Sequence, residues 1–314
     1  MKITILDGHA LNPGDLSWKP LEEFGELKVY DRTPSELVIE RIADSDAILL
    51  NKINITESVL AACPSLRYIG VQATGYNVID MEACRHHGVT VTNVPSYSTA
   101  GVAQLTFAFI TEFACHTKMH SDSVMAGDWC KAPNFCYWNA PLTELEGKTL
   151  GIFGYGHIGS RVASIGKAFG MKVIACTRTP KAEIEHPVDF ETLLKESDIL
   201  SLHAPLTEKT KGIINKDTIA LMKPTAYLIN TARGGFVNEA DMRKALDSGR
   251  IAGYAADTVS EEPMAKDNPL LGAKNCLITP HIAWAATETR QRLLNIVIEN
   301  LRYFIEGKPQ NVVS

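Results

Sequence analysis

The sequence predicts an α/β protein of two domains, each built on a parallel sheet. Three observations carry this. Short apolar strand-like runs alternate with helix-spaced segments along nearly the whole chain, the pattern of sheets covered on both faces. A glycine-rich turn, "GYGHIG", stands near the middle of the 314 residues, so a segment of nearly domain size precedes it. The length itself suits two domains of ordinary size.

The first hundred residues supply the first series. "KITILD" and "LKVYD" read as strands, "ELVIERIAD" has helical spacing, and "DAILLNK" is strand again. "TESVLAAC" reads as a helix opening at Thr56, with Glu57 in its first turn. "LRYIGVQATG" runs into a glycine turn, and "VTVTNVP" closes the series. A long helix follows from about residue 99 to 125, with Ser98 or Thr99 as its cap. Val102, Ala103, Leu105, Phe107, Phe109, Ile110 and Phe113 spread around much of its circumference. A helix apolar on so many sides is buried on more than one of them.

From residue 148 the alternation resumes. "KTLGIFGYG", a helix from about 157, "KVIACT", "FETLLKESD", "ILSLHAP", a helix near 216–222, "AYLINTARGG", "EADMRKALDSG", "IAGYAADT" and "CLITPHIA" follow in turn. A helix over 286–306 ends at Gly307, with Pro309 just beyond as a stop signal.

Composition narrows the partners. The chain is 45% hydrophobic and 21% charged, with mean hydropathy near zero, as in globular proteins. A net charge of -5 without a basic block argues against nucleic acid. No apolar run reaches the roughly 18 residues of a membrane span, and "MKITILDGHA" is too short for a secretion signal. The seven cysteines contain no C-x-x-C pair and their number is odd. They read as reduced thiols of a cytoplasmic protein with no metal site.

The glycine turn carries the first chemistry. Gly154 permits the tight turn, Gly156 lets backbone approach a pyrophosphate, and Gly159 lets helix pack on strand. The following helix offers free N–H groups and the positive end of its dipole. Strand before and helix after are both present, so the turn reads as a dinucleotide site, with His157 and Ile158 inside it. One expected element is missing. An acidic residue should end the second strand and hold the ribose 2′-OH, yet Thr177, Arg178 and Thr179 stand there. An acid would repel a 2′-phosphate by roughly 4 kcal/mol for unit charges about 4 Å apart at an effective dielectric of 20. Here Arg178 offers a forked cation and the two threonines offer hydroxyls. NADPH is therefore expected to be accepted and slightly favoured, with NADH still permitted.

Three further apolar runs end in polar groups: Arg233, then Asp257 and Glu262, then His281. Ligands of open α/β sheets bind outside the carboxyl ends of the strands. Taken singly, each residue has an ordinary structural reading. Together behind a dinucleotide turn they suit hydride transfer at a 2-hydroxy acid carbon. Arginine clamps a carboxylate, histidine exchanges a proton, and glutamate fixes its tautomer.

"GYGHIG", "LHAPLTEKTKG", "LINTARGG", "DTVSEEP" and "TPHIAWA", in this order and spacing, resemble the D-2-hydroxyacid dehydrogenase family over essentially the whole chain. The resemblance implies two Rossmann-like domains, one flavodoxin-like and one dinucleotide-binding. The substrate domain is residues 1–98 and 286–314, with the nucleotide domain, residues 99–285, inserted into it. It implies Arg233, Glu262 and His281 as catalytic residues. It implies His203, Pro205, Thr231, Ala232, Asp257 and His281 beside NAD(P), and backbone N–H groups of Thr74 and Gly75 on the substrate carboxylate. It also implies a homodimer formed through the helix from residue 99.

Within the family, Glu262 departs from the glutamine expected of formate dehydrogenases. The chain ends too soon after its last helix for the regulatory domains of long phosphoglycerate dehydrogenases. Trp284 in "HIAWAA" resembles the glycerate dehydrogenases, also called hydroxypyruvate reductases, and is taken as a substrate contact. The implied substrate is hydroxypyruvate or glyoxylate, giving D-glycerate or glycolate. The alternatives are another D-hydroxy acid such as D-lactate, or a corepressor-like protein that senses nucleotide without catalysis. Trp129 or Trp138 could trim a neighbour's pocket, but ordinary core or interface packing is the plainer reading.

Overall fold

The computed structural model describes residues 1–179 and 181–314, and its chain divides into two units, Met1–Ser98 with Trp284–Ser314, and Thr99–Ala283. The first unit holds β1 (Lys2–Ile5), β2 (Glu26–Val29), β3 (Ala47–Leu50), β4 (Tyr68–Val71) and β5 (Thr90–Thr92). All pair in parallel in the order β2-β1-β3-β4-β5. This is the flavodoxin-like order, which reverses between its first and third strands. Every residue of β3 and β4 is buried, as a strand covered on both faces requires.

Alternate residues of these strands serve opposite layers. Ile48, Leu50, Ile69 and Val71 pack with Val59 and Leu60 of the helix Glu57–Ala62 and with Ala83 of the helix Met81–His86. Ile3, Ile5, Leu49 and Tyr68 pack with Leu293, Leu294, Val297 and Leu301 of the helix Thr287–Ile305. The last helix therefore completes the core of the first sheet. The C-terminal residues also cover its β5 edge, through an antiparallel bridge between Thr92 and Val312.

The second unit holds β6 (Thr149–Phe153), β7 (Lys172–Cys176), β8 (Ile199–Leu202), β9 (Tyr227–Asn230), β10 (Gly253–Ala256) and β11 (Cys276–Ile278). They form a parallel sheet in the order β11-β10-β9-β8-β6-β7. Outside β7, where a dinucleotide fold places one more strand, a single bridge joins Ala175 to Pro187. The reversal point lies between β6 and β8. The helix His157–Ala168 packs close to β6 because Gly159 and Gly166 face inward; a Cβ on Gly166 would press on Leu150.

Several boundaries differ from the sequence reading. The long helix is two, Thr99–Cys115 and Thr117–Met125, separated by His116 in a left-handed conformation (φ 47°). The helix near 216 spans only Lys216–Ile219. Thr56 does cap its helix by position, but its hydroxyl pairs with Ser58 Oγ and not with backbone. The chain re-enters the first unit at Trp284, two residues before 286, because the Trp284 ring packs against that unit's core.

The apolar circumference of Thr99–Cys115 is largely covered by its own unit. Ala103, Phe107, Phe109, Ile110 and Phe113 pack with Leu150, Ile152 and Val162, and Phe113 stacks on Tyr227. Apolar surface left bare lies further on: Met125, Trp129, Phe135, Trp138 and Leu142 are all at least half exposed. Trp129 and Trp138 are thus not core aromatics of this chain.

Candidate active site

A parallel sheet brings all its carboxyl ends to one edge. In the second unit that edge collects Gly154 after β6, Thr177 after β7, His203 after β8, Thr231 after β9, Asp257 after β10 and Thr279–His281 after β11. The residues singled out in this half of the sequence therefore share one margin.

The glycine turn fits a dinucleotide. Gly154 has φ 96°, and a Cβ there would collide with the backbone of His203 and Ala204. A Cβ on Gly159 would collide with the Gly154 carbonyl. Gly156 is different, because nothing in the chain lies within 4 Å of its Cβ position. Its open side and the N-terminus of the helix His157–Ala168, which no side chain caps, make a cradle that fits a phosphate group. His157 is exposed and Ile158 partly buried. At the end of β7, Thr177 is partly buried, while Arg178 and Thr179 are exposed. Neither Asp nor Glu occupies this strand end.

His203 closes the opposite side of the turn. Its N–H donates to Phe153 O at 2.7 Å, and its ring Nε2 meets Ser201 Oγ at 2.8 Å. Burial pushes its pKa down to about 3, so the ring is neutral. Pro205 is exposed and its carbonyl accepts the Thr210 hydroxyl at 3.1 Å.

Arg233 is presented by an asparagine missed in the sequence. Asn230 is fully buried at the end of β9; its Oδ1 accepts from Ala232 N at 3.1 Å and its Nδ2 donates to Arg233 O at 2.9 Å. Strand-end asparagine followed by a turn was the available signal. The Arg233 side chain is exposed, with Nη1 donating to Ala232 O at 2.7 Å. Thr231 is buried, and its hydroxyl pairs with Thr106 Oγ1 at 3.0 Å. Gly234 lies directly on the Val259–Ser260 backbone, where any Cβ would clash.

His281 and Glu262 form the chemical centre. His281 Nδ1 lies 2.7 Å from Glu262 Oε2, with the two side chains 31% and 34% exposed. An ionised carboxylate only accepts, so it fixes the proton on Nδ1 and leaves Nε2 to exchange with a ligand. His281 has φ 55°, an uncommon conformation for a residue with a side chain. It is held there from β10: its N–H donates to Asp257 O at 2.8 Å. The Asp257 carboxylate, 1% exposed, accepts from Thr279 Oγ1 at 2.6 Å, Ile282 N at 2.7 Å and Ala283 N at 2.8 Å. Asp257 thus has a structural task that the resemblance did not imply.

In the first unit, Thr74 and Gly75 follow β4. Thr74 Oγ1 donates to Val94 O at 2.8 Å, and Asn93 Nδ2 donates to Thr74 O at 2.8 Å. Among the described residues neither backbone N–H of Thr74 or Gly75 has a partner, so both are open to an anion. Trp284 is partly buried against that unit's core. No group of metal-ligating side chains occurs among the described residues, and all seven cysteines are free.

Comparison with known proteins bears on the family. Residues 107–283 match the model of the D-isomer specific 2-hydroxyacid dehydrogenase NAD-binding domain. The chain is 47% identical to a hydroxypyruvate reductase of Blautia hydrogenotrophica, over 100% of both chains. It is 38% identical to a glycerate dehydrogenase of Methylorubrum extorquens, covering 100% of this chain and 99% of that one. Among solved structures, an acyclic imino acid reductase in complex with NADPH and D-Arg superposes with a TM-score of 0.88 at 32% identity, over 100% of each chain.

The neutral His203 makes the stability of the fold depend on pH. Its folded pKa, about 3, lies below the ordinary value of 6.5. Above 6.5 neither folded nor unfolded chain is protonated at this ring, and its contribution is complete. As pH falls below 6.5 the unfolded chain takes the proton first, and stability is lost by at most roughly 1.4 kcal/mol per pH unit. Chemical unfolding between pH 7 and 5 is expected to be less pH-dependent in His203→Asn than in the wild type. Equal slopes would mean that the folded ring titrates normally.

Proposed function

The chain belongs to the D-isomer specific 2-hydroxyacid dehydrogenase family, and from that premise we propose that it reduces hydroxypyruvate or glyoxylate to D-glycerate or glycolate with NAD(P)H. The observation that carries this reading is the His281–Glu262 pair, at 2.7 Å, on the strand-end margin that also bears Arg233 and the glycine turn. The bound nicotinamide supplies the hydride. His281 Nε2 gives its proton to the carbonyl oxygen as that oxygen gains negative charge. Glu262 keeps the imidazole oriented, with one ring proton held on Nδ1. Arg233 takes the carboxylate through its forked donors and polarises the adjacent carbonyl. Thr74 and Gly75, with their open N–H groups, make an anion-binding loop in the first unit, and Trp284 is assigned to substrate contact. Gly154, Gly156, His157, Ile158 and Gly159 hold the pyrophosphate, with His203, Pro205, Thr231, Ala232 and Asp257 along the same margin.

Support for NADPH comes from charge. Thr177, Arg178 and Thr179 put one cation and two hydroxyls where an acid would reject a 2′-phosphate. Support for a homodimer comes from bare apolar surface. Met125, Trp129, Phe135, Trp138 and Leu142 form an exposed apolar run after the helix Thr99–Cys115. A groove of about 840 Å³ lies nearby, lined by Thr111, Cys115, Leu142, Leu145 and Phe169, away from the strand-end margin. A second copy of the chain is the assigned partner for this surface. Free cysteines throughout suit a cytoplasmic protein.

A panel of 2-oxo acids assayed with NADH and NADPH tests the reaction, with hydroxypyruvate and glyoxylate expected to give the highest kcat/KM. His281→Ala is expected to lower kcat about 10²–10⁴-fold while nucleotide binding survives. Glu262→Gln removes a negative charge beside the imidazole, so reduction should fail at lower pH on its alkaline side; an unchanged profile would remove Glu262 from the mechanism. Arg178→Ala is expected to raise KM for NADPH and leave KM for NADH nearly unchanged. A strong wild-type preference for NADH, untouched by this substitution, would overturn the cofactor assignment. Sedimentation velocity at micromolar concentration is expected to show a dimer, and Phe135→Asp with Trp138→Asp to show monomer. A monomeric wild type would reject the assembly.

A further inference from the structure

Glu239 lies outside every motif that carries the chemistry, yet it is a buried carboxylate, 9% exposed, at the start of the helix Glu239–Asp247. Burying a carboxylate is costly unless its oxygens are fully bonded. Here they are. Oε1 accepts from Ser260 N at 2.7 Å, and Oε2 accepts from Ser260 Oγ at 2.7 Å and from Asn268 Nδ2 at 2.8 Å. The helix beneath is anchored by Met242, Ala245 and Leu246 in the core of the second unit. Glu239 is therefore a fixed point.

What it fixes is the segment that carries Glu262. Ser260 and Asn268 stand on either side of that residue, and the stretch between them has no helix or strand. Glu262 Oε1 accepts from Val259 N at 3.3 Å, and Oε2 meets His281 Nδ1 at 2.7 Å. Short, charge-assisted bonds tie both ends of this stretch to Glu239. An exposed acid would serve the helix dipole equally well. The burial and the three bonds demand a different reason, and positional control of Glu262 supplies it.

We propose that Glu239 is a positioning residue for the Glu262–His281 pair, acting through Ser260 and Asn268. It touches no reacting atom. It sets how closely the Glu262 carboxylate approaches His281 Nδ1, and so how the imidazole is aimed for proton donation. Two other charged residues stand on neighbouring turns: Arg233, next to the Gly234 that packs against Val259–Ser260, and Asp257, whose carboxylate is taken up by Thr279, Ile282 and Ala283. Neither is bonded to Glu239. This inference rests on the proposed oxo-acid reduction with His281 as acid.

Glu239→Gln tests it. The amide keeps the size and can still accept from Ser260 N, but its NH₂ opposes the Asn268 NH₂, whose own oxygen is occupied by Leu270 N at 2.9 Å. The expected result is a drop in kcat for reduction of roughly 10- to 100-fold, the scale of a misplacement of about 1 Å. KM for the oxo acid and Kd for NADPH should stay within about twofold. The alkaline limb of kcat/KM should move to lower pH, as a carboxylate drawn away from the imidazole requires. Ser260→Ala removes one bond and leaves the others. It should fold like the wild type and shift the limb in the same direction, by less. A lower melting temperature with an unmoved pH limb in both variants would overturn the proposal, leaving Glu239 as a plain tether. If wild-type protein reduces none of the oxo acids, the proposed function fails instead, and the two failures are separate.

Discussion

The carboxylate of Asp257 ties the end of β10 to the loop that leaves β11. Three donors converge on it: a threonine hydroxyl and two consecutive backbone N–H groups. Each bond to a buried charge is worth about 1.5–3 kcal/mol. Together they can hold His281 in a left-handed backbone conformation that a non-glycine residue adopts only at a cost of order 1–3 kcal/mol. Without this clamp the imidazole has no reason to sit where Glu262 meets its Nδ1. The rest of the chemistry assumes that placement.

The clamp answers a general problem of parallel sheets. Where a strand ends and its loop departs, backbone N–H groups lose their ladder partners, and a buried donor without an acceptor is costly. This protein meets the need repeatedly with buried polar side chains. Asn230 bonds both ends of the turn before Arg233, and Glu239 bonds the loop before Glu262. In the first unit Asp7, at the end of β1, accepts from Asn51 N at 2.8 Å and Lys52 N at 2.7 Å beyond β3. Burial pushes the Asp7 carboxyl up while these N–H bonds pull it down, with burial the larger influence. The loops that carry chemistry are thus braced from the sheet itself.

Close backbone approach is the second constraint, and glycine meets it. Gly154 against His203–Ala204 and Gly234 against Val259–Ser260 are contacts that no side chain tolerates. The first joins the nucleotide turn to β8 across the reversal point of the sheet. The second joins the Arg233 turn to the loop that holds Glu262. Gly156 needs no such account from within the chain, and its open face is what leaves room for a phosphate.

Periodicity and turn chemistry in the sequence were enough for the two parallel sheets, the glycine turn and the strand-end positions of Arg233, Glu262 and His281, because these depend on local pattern and on the polarity of a parallel sheet. Tertiary structure alone decided the rest. Helix propensity could not show that His116 breaks the long helix, since the break is one residue's backbone conformation. The apolar circumference of Thr99–Cys115 suggested an external partner, yet its own unit covers most of it and the bare surface begins after it. Asn230, Glu239 and Ser260 stand in no position that local pattern singles out. Their importance comes from hydrogen bonds between segments, such as Glu239 to Ser260 and Asn268, and no local pattern encodes which distant donor a buried carboxylate will find.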